Sequence, residues 1–561
     1  MTITGNIVDI FHQRIYLGSI EYSLSRASEP GHILHITELG DEDPTQSYLL
    51  PGFVDAHIHI ESTLLTPAHF APIAALHGVT SVFADPHEIA NVLGKKGVEY
   101  MLDNAATVNY NFHFAASPCV PCTTFEHAGG ALSSEDIHQL LQCDDIYGLG
   151  EMMNIPGLVF GDPEVLAKIE AARQLGKPID GHMPGASEEW VLRCAEAGIT
   201  TDHESMTLNE ARMKLRHGIR ILIREGSAAR NFDALSPLLS DDSVADHLMF
   251  CSDDKYADEL IEGYIDDMVR ESIRRGHPLW NVLKAACVNP VLHFGVDDGL
   301  LREGDRADFI QVDNLHNFNI LAAYVGSIPA GLPACEECST NDSQRESLPS
   351  ADNAPNHFLA HTLSPEDLRV EASGNSLRVM QIHDGQLWTD ALTRPATVAH
   401  GSVVSNTDTD TLKIIVLNRY AEGARPAIGF VSGFGLKQGA MGCSIGHDSH
   451  NIIALGTSDE DICEVVNALI QSRGGMSVKY SAHDIATLPL PVAGLMSEKE
   501  ASVVASTYQH ILQAVRNTGC PLQAPFMTLS FLTLPVIPQL KMTDISLFDV
   551  EKFNFTSVFA D

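Results

Sequence analysis

The chain has 561 residues, 44% of them hydrophobic, and a formal net charge of −38. That length is too great for one compact core and calls for about two to four structural units. The acidic balance excludes partners that need basic patches, nucleic acid and anionic membrane surfaces among them, and leaves a small uncharged or cationic ligand.

Residues 1–49 read as short alternating strands broken by Gly and Pro, as in "GNIVDIFHQRIYLGSIEYS". From residue 50 the pattern changes to short apolar runs that alternate with helix-period stretches, the signature of parallel βα units. Eight strands are predicted, at 50–57, 79–84, 111–116, 146–151, 178–182, 199–203, 219–223 and 247–252. Between them, "TPAHFAPIAALHG" opens a helix with Thr66 as cap and Pro67 in the first turn, and "DPEVLAKIEAARQLG" does the same with Asp162 and Pro163. The fold class expected is α/β, with a (β/α)8 TIM-type metal-dependent barrel over 50–290. Residues 291–334 return to strand character and join 1–49 in a small β-sandwich-like domain. Residues 335–357 are polar and rich in Ser, Asn and Pro, a flexible insertion, and 358–561 form an additional C-terminal α/β domain. No segment has the roughly 20 apolar residues of a membrane span, and "MTITGNIVDIF" lacks the pattern of a signal peptide. With 11 scattered cysteines, an odd number, free thiols in a reducing cytosol are expected.

In a closed parallel barrel, catalytic groups stand at the C-terminal ends of the strands. The first strand ends at "PGFVDAHIHIEST", where His57 and His59, two apart, project from one face. Strand four ends at Glu151 in "YGLGEMMN", strand five at His182 in "GHMPG", strand six at His203 in "TTDHES" and strand eight at Asp253 in "CSDDK". Four imidazoles and two carboxylates at matching positions point to two divalent metal ions bridged by a carboxylate, since a buried polar cluster without partners is costly.

Other polar features admit more than one reading. His87 and Glu88 in "DPHEIANV" follow strand two and either cap the next helix or handle substrate and protons. After strand seven, Arg224, Glu225 and Ser227 in "REGSAARN" either hydrogen-bond a substrate or pair with one another. "CVPC" at 119–122 with His59-Ile60-Glu61 spells the H-x-E…P-C-x-x-C of zinc nucleobase deaminases, but that reading leaves His57, His182, His203 and Asp253 idle. Cys335 and Cys338 read as solvated thiols.

The ordered set "PGFVDAHIHIEST", "FADPHEIANV", "GLGEMMN", "GHMPG", "TDHES", "REGSAARN" and "CSDDK" resembles bacterial adenine deaminase, of the amidohydrolase superfamily. "VSGFGLKQGAMGCSIGHDSHNIIALGTSDEDI", "LPLPVAGLMS" and "PFMTLSFLTLPVIPQLKMTD" resemble that family's extra domain, so the likeness spans almost the whole chain. The segment 335–357 departs from the family pattern. The resemblance implies His57, His59 and Asp253 on one ion, His182 and His203 on the other, Glu151 bridging, and manganese or iron rather than zinc.

It further implies hydrolytic deamination of adenine to hypoxanthine and ammonia by a metal-bridged hydroxide attacking C6, in purine salvage. Asp253 takes the proton of the nucleophile and returns it to the leaving ammonia, while Glu204 either protonates a ring nitrogen or serves as a structural hydrogen-bond partner. The turn "GHDSHN", with His447, Asp448 and His450, is expected to close over the barrel mouth and contact substrate or metal, His450 on the substrate side. A homodimer is expected. The alternatives are another cyclic amidohydrolase or aromatic deaminase of the same superfamily, and a barrel retained for assembly without catalysis.

Overall fold

The computed structural model describes residues 1–25, 29–227, 229–331 and 354–561. Of the segment expected as an insertion, 335–353, with Cys335 and Cys338, lies outside the described residues. The chain divides into two compact units. One contains residues 1–86, 98–118 and 133 up to the undescribed stretch; the other contains 87–97, 119–132 and the described residues from 354 to 561.

The first unit opens with strands β1 (Thr2–Asp9), β2 (Arg14–Tyr22), β3 (Ile33–Asp41) and β4 (Tyr48–Pro51). Eight follow: β5 (Phe53–Ile58), β6 (Val79–Ala84), β7 (Asn111–Ala116), β8 (Ile146–Met152), β9 (Ile179–Gly181), β10 (Thr201–Asp202), β11 (Arg220–Arg224) and β12 (Leu248–Cys251). Then come β13 (Phe309–Val312), β14 (Ile320–Val325) and β15 (Ile328–Pro329). Strands from both ends of this stretch pair in one seven-stranded sheet, β15-β14-β13-β4-β1-β2-β3, over a core that includes Ile7, Ile20, Leu49 and Phe309.

Strands β5 to β12 form the barrel. Every residue of β5 and β6 is buried, as expected for parallel strands covered on both faces, and such strands read as apolar runs rather than alternations. Five pair in parallel as β5-β6-β7-β8-β9 and three as β10-β11-β12. Two bridges close the ring: Ile179 with Ile199, and Ile58 with Asp253. At the second, Asp253 N donates to His57 O at 2.9 Å and His59 N donates to Asp253 O at 3.2 Å. Closure therefore draws the end of the last strand against the His-x-His of the first.

The helices between strands start as the sequence predicts. Asp162 caps Pro163–Gln174 by accepting from Glu164 N and Val165 N. Thr66 precedes Pro67–Leu76, but its hydroxyl meets His69 Nδ1 at 2.8 Å instead of a backbone N–H. Gly198, at φ 101°, ends Glu188–Ala197 in the left-handed conformation that turns the chain into β10.

The second unit contains β16 (Ser376–Ile382), β17 (Thr389–Pro395), the hairpin β18 (Val398–Ala399) and β19 (Ser402–Val403), and β20 (Leu412–Leu417), β21 (Ala427–Ser432), β22 (Ala440–Gly446), β23 (Asn451–Gly456), β24 (Gly475–Lys479) and β25 (Ile485–Pro489). Its main sheet has eight strands in the order β17-β16-β21-β20-β23-β22-β24-β25. The helix Asp459–Gln471, capped by Ser458, buries Ile462, Val465, Val466 and Leu469 against Ile415, Leu417, Ile452 and Ala454. Helix His87–Leu93 belongs to this unit. Among the described residues, no helix is long and apolar enough to cross a membrane.

Candidate metal centre

The ends of β5, β8, β9, β10 and β12 bring six side chains together. His57 Nε2 and His59 Nε2 lie 3.2 Å apart. His59 Nε2 is 3.2 Å from Glu151 Oε1 and 3.2 Å from Asp253 Oδ1. The other oxygen of Glu151, Oε2, is 2.8 Å from His182 Nδ1 and 3.3 Å from His203 Nε2. Glu151 thus divides its two oxygens between His59 on one side and His182 with His203 on the other, and it appears in both the His57/His59 and the His182/His203 groupings of potential ligands.

The tautomers show what this cluster needs. His59 Nδ1 faces the carbonyl oxygen of Asp85 at 2.9 Å, which only accepts, so the ring must donate from Nδ1. His57 Nδ1 faces the acceptor-only oxygen Asp180 Oδ2 at 2.8 Å, an ion-pair contact that turns Nε2 to the cluster. In the neutral rings both Nε2 atoms then carry bare lone pairs, aimed at each other and at two carboxylates. Lone pairs gathered in this way require cations between them. Carboxylate and imidazole donors without thiolate suit first-row divalent ions.

Electrostatics agree. Burial opposes ionisation of Glu151, yet His182, His203 and His59 hold it well below the usual carboxylate range. Burial likewise opposes charge on Asp253, and Arg224 and His59 overcome it. Burial disfavours protonation of His57, but Asp180 outweighs this and raises it to about 9. Without an ion the cluster draws protons onto its imidazoles, so metal and proton compete for the same nitrogens.

Comparison with known proteins bears on the same residues. Residues 48–335 match the amidohydrolase family, and residues 386–554 match the adenine deaminase C-terminal domain. The chain is 45% identical to the adenine deaminase of Salinibacter ruber, covering 100% of this chain and 99% of that protein. It is 44% identical to that of Methanosarcina barkeri and 43% to that of Parabacteroides distasonis, each alignment covering 100% of this chain and 99% of the relative.

The chain belongs to the adenine deaminase family. As an amidohydrolase of that family it carries a divalent metal site, and its His, Glu and Asp groupings at the strand ends provide the donors.

The remaining candidates of the adenine deaminase motifs are placed as follows. Glu204 and Asp253 are joined by Arg224, whose Nη1 donates to Asp253 Oδ2 at 2.5 Å and to Glu204 Oε1. Burial opposes ionisation of Glu204, and Arg224 beside it brings the carboxyl to about 2. Arg224 is 1% exposed and spends its Nε on Ala229 O at 2.8 Å, so it pairs with Glu204 and Asp253 rather than with Glu225 or Ser227. Ser227 Oγ donates to Glu259 Oε2 at 3.0 Å and accepts from Tyr256 N at 2.9 Å. His87, Glu88 and His450 lie in the second unit, where Glu88 meets His450. Cys119 and Cys122 are buried.

Three residues escaped the sequence reading. Asp180 orients His57 and accepts from Thr201 Oγ1 at 2.6 Å. Asp254 groups with His59 and Asp253. Asp85 accepts from Glu151 N at 2.8 Å through Oδ2, while its carbonyl fixes His59. A signal existed for each, since Asp180 lies on β9 two residues before His182 and Asp254 and Asp85 also follow strand ends.

Proposed function

We propose that this protein hydrolyses adenine to hypoxanthine and ammonia, using two divalent ions, manganese or iron, with Glu151 shared between them. His57, His59 and Asp253 would hold one ion, and His182 and His203 the other. The observation that carries the reading is the pair of Nε2 lone pairs of His57 and His59 set 3.2 Å apart against Glu151 and Asp253, in a chain of this family.

The ions supply what the side chains lack, an acidified water at neutral pH. The chain's residues do the rest. Water adds at C6 of the purine, the C6–O bond forms, the C6–N bond to the exocyclic amine breaks, and one ammonia leaves. Asp253, with one oxygen on Arg224 and the other turned to the centre, takes the proton of the water and passes it to the departing nitrogen. Glu204 passes a proton to a ring nitrogen. Because Arg224 keeps Glu204 ionised at rest, the proton it delivers is the second proton of the attacking water, taken up during turnover as the C6 oxygen becomes a carbonyl.

An odd number of cysteines scattered over a large chain supports a reducing, cytosolic setting, and purine salvage is the corresponding role. A dimer is the assembly we expect. The test is a direct assay of purified protein, in which a chelator abolishes conversion of adenine and manganese restores it, with one ammonia per hypoxanthine. Full turnover by the metal-free protein would overturn the reading.

A further inference from the structure

The turn "GHDSHN" joins β22 to β23 within the second unit, with His450 N donating to Gly446 O at 2.6 Å. Helix His87–Leu93 of the same unit meets it. Three imidazoles converge there on one carboxylate. Glu88 Oε1 is 3.2 Å from His447 Nδ1 and 3.6 Å from His87 Nε2, while Glu88 Oε2 lies against His450 Nε2. Asp448 Oδ1 is 3.3 Å from the same His447 nitrogen.

An ordinary ion pair does not account for this group. Glu88 is 2% exposed, Asp448 2% and His450 0%. Neither oxygen of Glu88, neither ring nitrogen of His450 and not Asp448 Oδ2 has a hydrogen-bond partner of acceptable geometry. Dry donors left in this state are costly. A further buried carboxyl, Glu126, lies in the same unit, and burial together with Asp448 and Asp544 pushes it well above the usual carboxyl range. Two ligands about 2.1 Å from one ion and about 100° apart are themselves about 3.2 Å apart. The contacts of Glu88, His447 and Asp448 have that spacing.

We propose that Glu88, His447 and His450, with Asp448 and His87 beside them, form a divalent transition-metal site belonging to the second unit and additional to the barrel centre. Imidazole with carboxylate and no thiolate selects manganese, iron or zinc over calcium or copper(I). An ion here pins the β22–β23 turn to helix His87–Leu93 and satisfies Nε2 of His450 and the carboxylate of Glu88.

The test counts manganese bound per full-length chain at equilibrium dialysis. His447→Ala/His450→Ala should bind one ion fewer than the parent, both in the natural sequence and in a His57→Ala/His59→Ala background that disables the barrel ligands. Equal counts with and without the two alanines would overturn the site. If that pair fails to fold, Glu88→Gln, which keeps the volume but loses the charge, must show the same decrement of one, and an unchanged count there overturns it too. Ions lost on changing His57 and His59 alone report on the barrel centre, so the two readings fail separately.

Discussion

Asp180 holds His57: its Oδ2 lies 2.8 Å from His57 Nδ1, and both side chains are 1% exposed. The contact fixes the tautomer and leaves Nε2 facing Glu151 and His59. Asp180→Asn keeps the volume but can accept only through a neutral oxygen. Manganese affinity should fall about 10–100-fold, read by titration of the metal-free protein. An affinity equal to the parent's would show that His57 needs no orienting partner.

Arg224 Nη1 lies against both Glu204 and Asp253. Arg224→Met takes the guanidinium partner from two buried carboxylates and should destabilise by about 3–5 kcal/mol. Arg224→Lys returns the charge without the planar fork, so stability should recover further than kcat. Denaturant unfolding beside steady-state kinetics checks this. Full recovery of both by lysine would reduce Arg224 to a counter-charge.

For Glu151→Gln, metal occupancy and turnover should fall together, because the amide carries no charge to balance two dications. Metal analysis and an adenine assay on one preparation decide it, and full occupancy with normal turnover would remove Glu151 from the centre.

Much of this centre was legible because parallel strands of a closed barrel bring the residues at their C-terminal ends to one place, so His57, His59, Glu151, His182, His203 and Asp253 could be read from position alone. The barrel itself was legible because strands such as Val79–Ala84 are buried on both faces and read as unbroken apolar runs. Partners across the barrel were not. Arg224 reads as a free cation until β10, β11 and β12 are set side by side, and Asp180 looks like an ordinary strand residue until His57 is seen against it. The meeting of Glu88 with His450 is a contact between segments far apart in sequence, which no local pattern encodes.

Lys541 gives a pH signature away from the metal ligands. Burial lowers it from an ordinary 10.5 to about 7, with Nζ donating to Leu387 O at 2.7 Å and Phe531 O at 2.9 Å. Below about 7 the folded and unfolded chains both carry the proton; between about 7 and 10.5 only the unfolded chain does. Stability from this group therefore rises with pH across that window, by about 1.4 kcal/mol per unit. Lys541→Met should remove that slope and gain most over the parent near pH 7, as read from unfolding at several pH values. Parallel profiles would contradict it.

The central claim is the substrate. Ammonia release by manganese-loaded protein, measured side by side for adenine, adenosine, AMP, guanine and dihydroorotate, tests it most directly. Adenine should be turned over fastest, with one ammonia per hypoxanthine formed, whereas faster turnover of any of the other four would contradict the assignment.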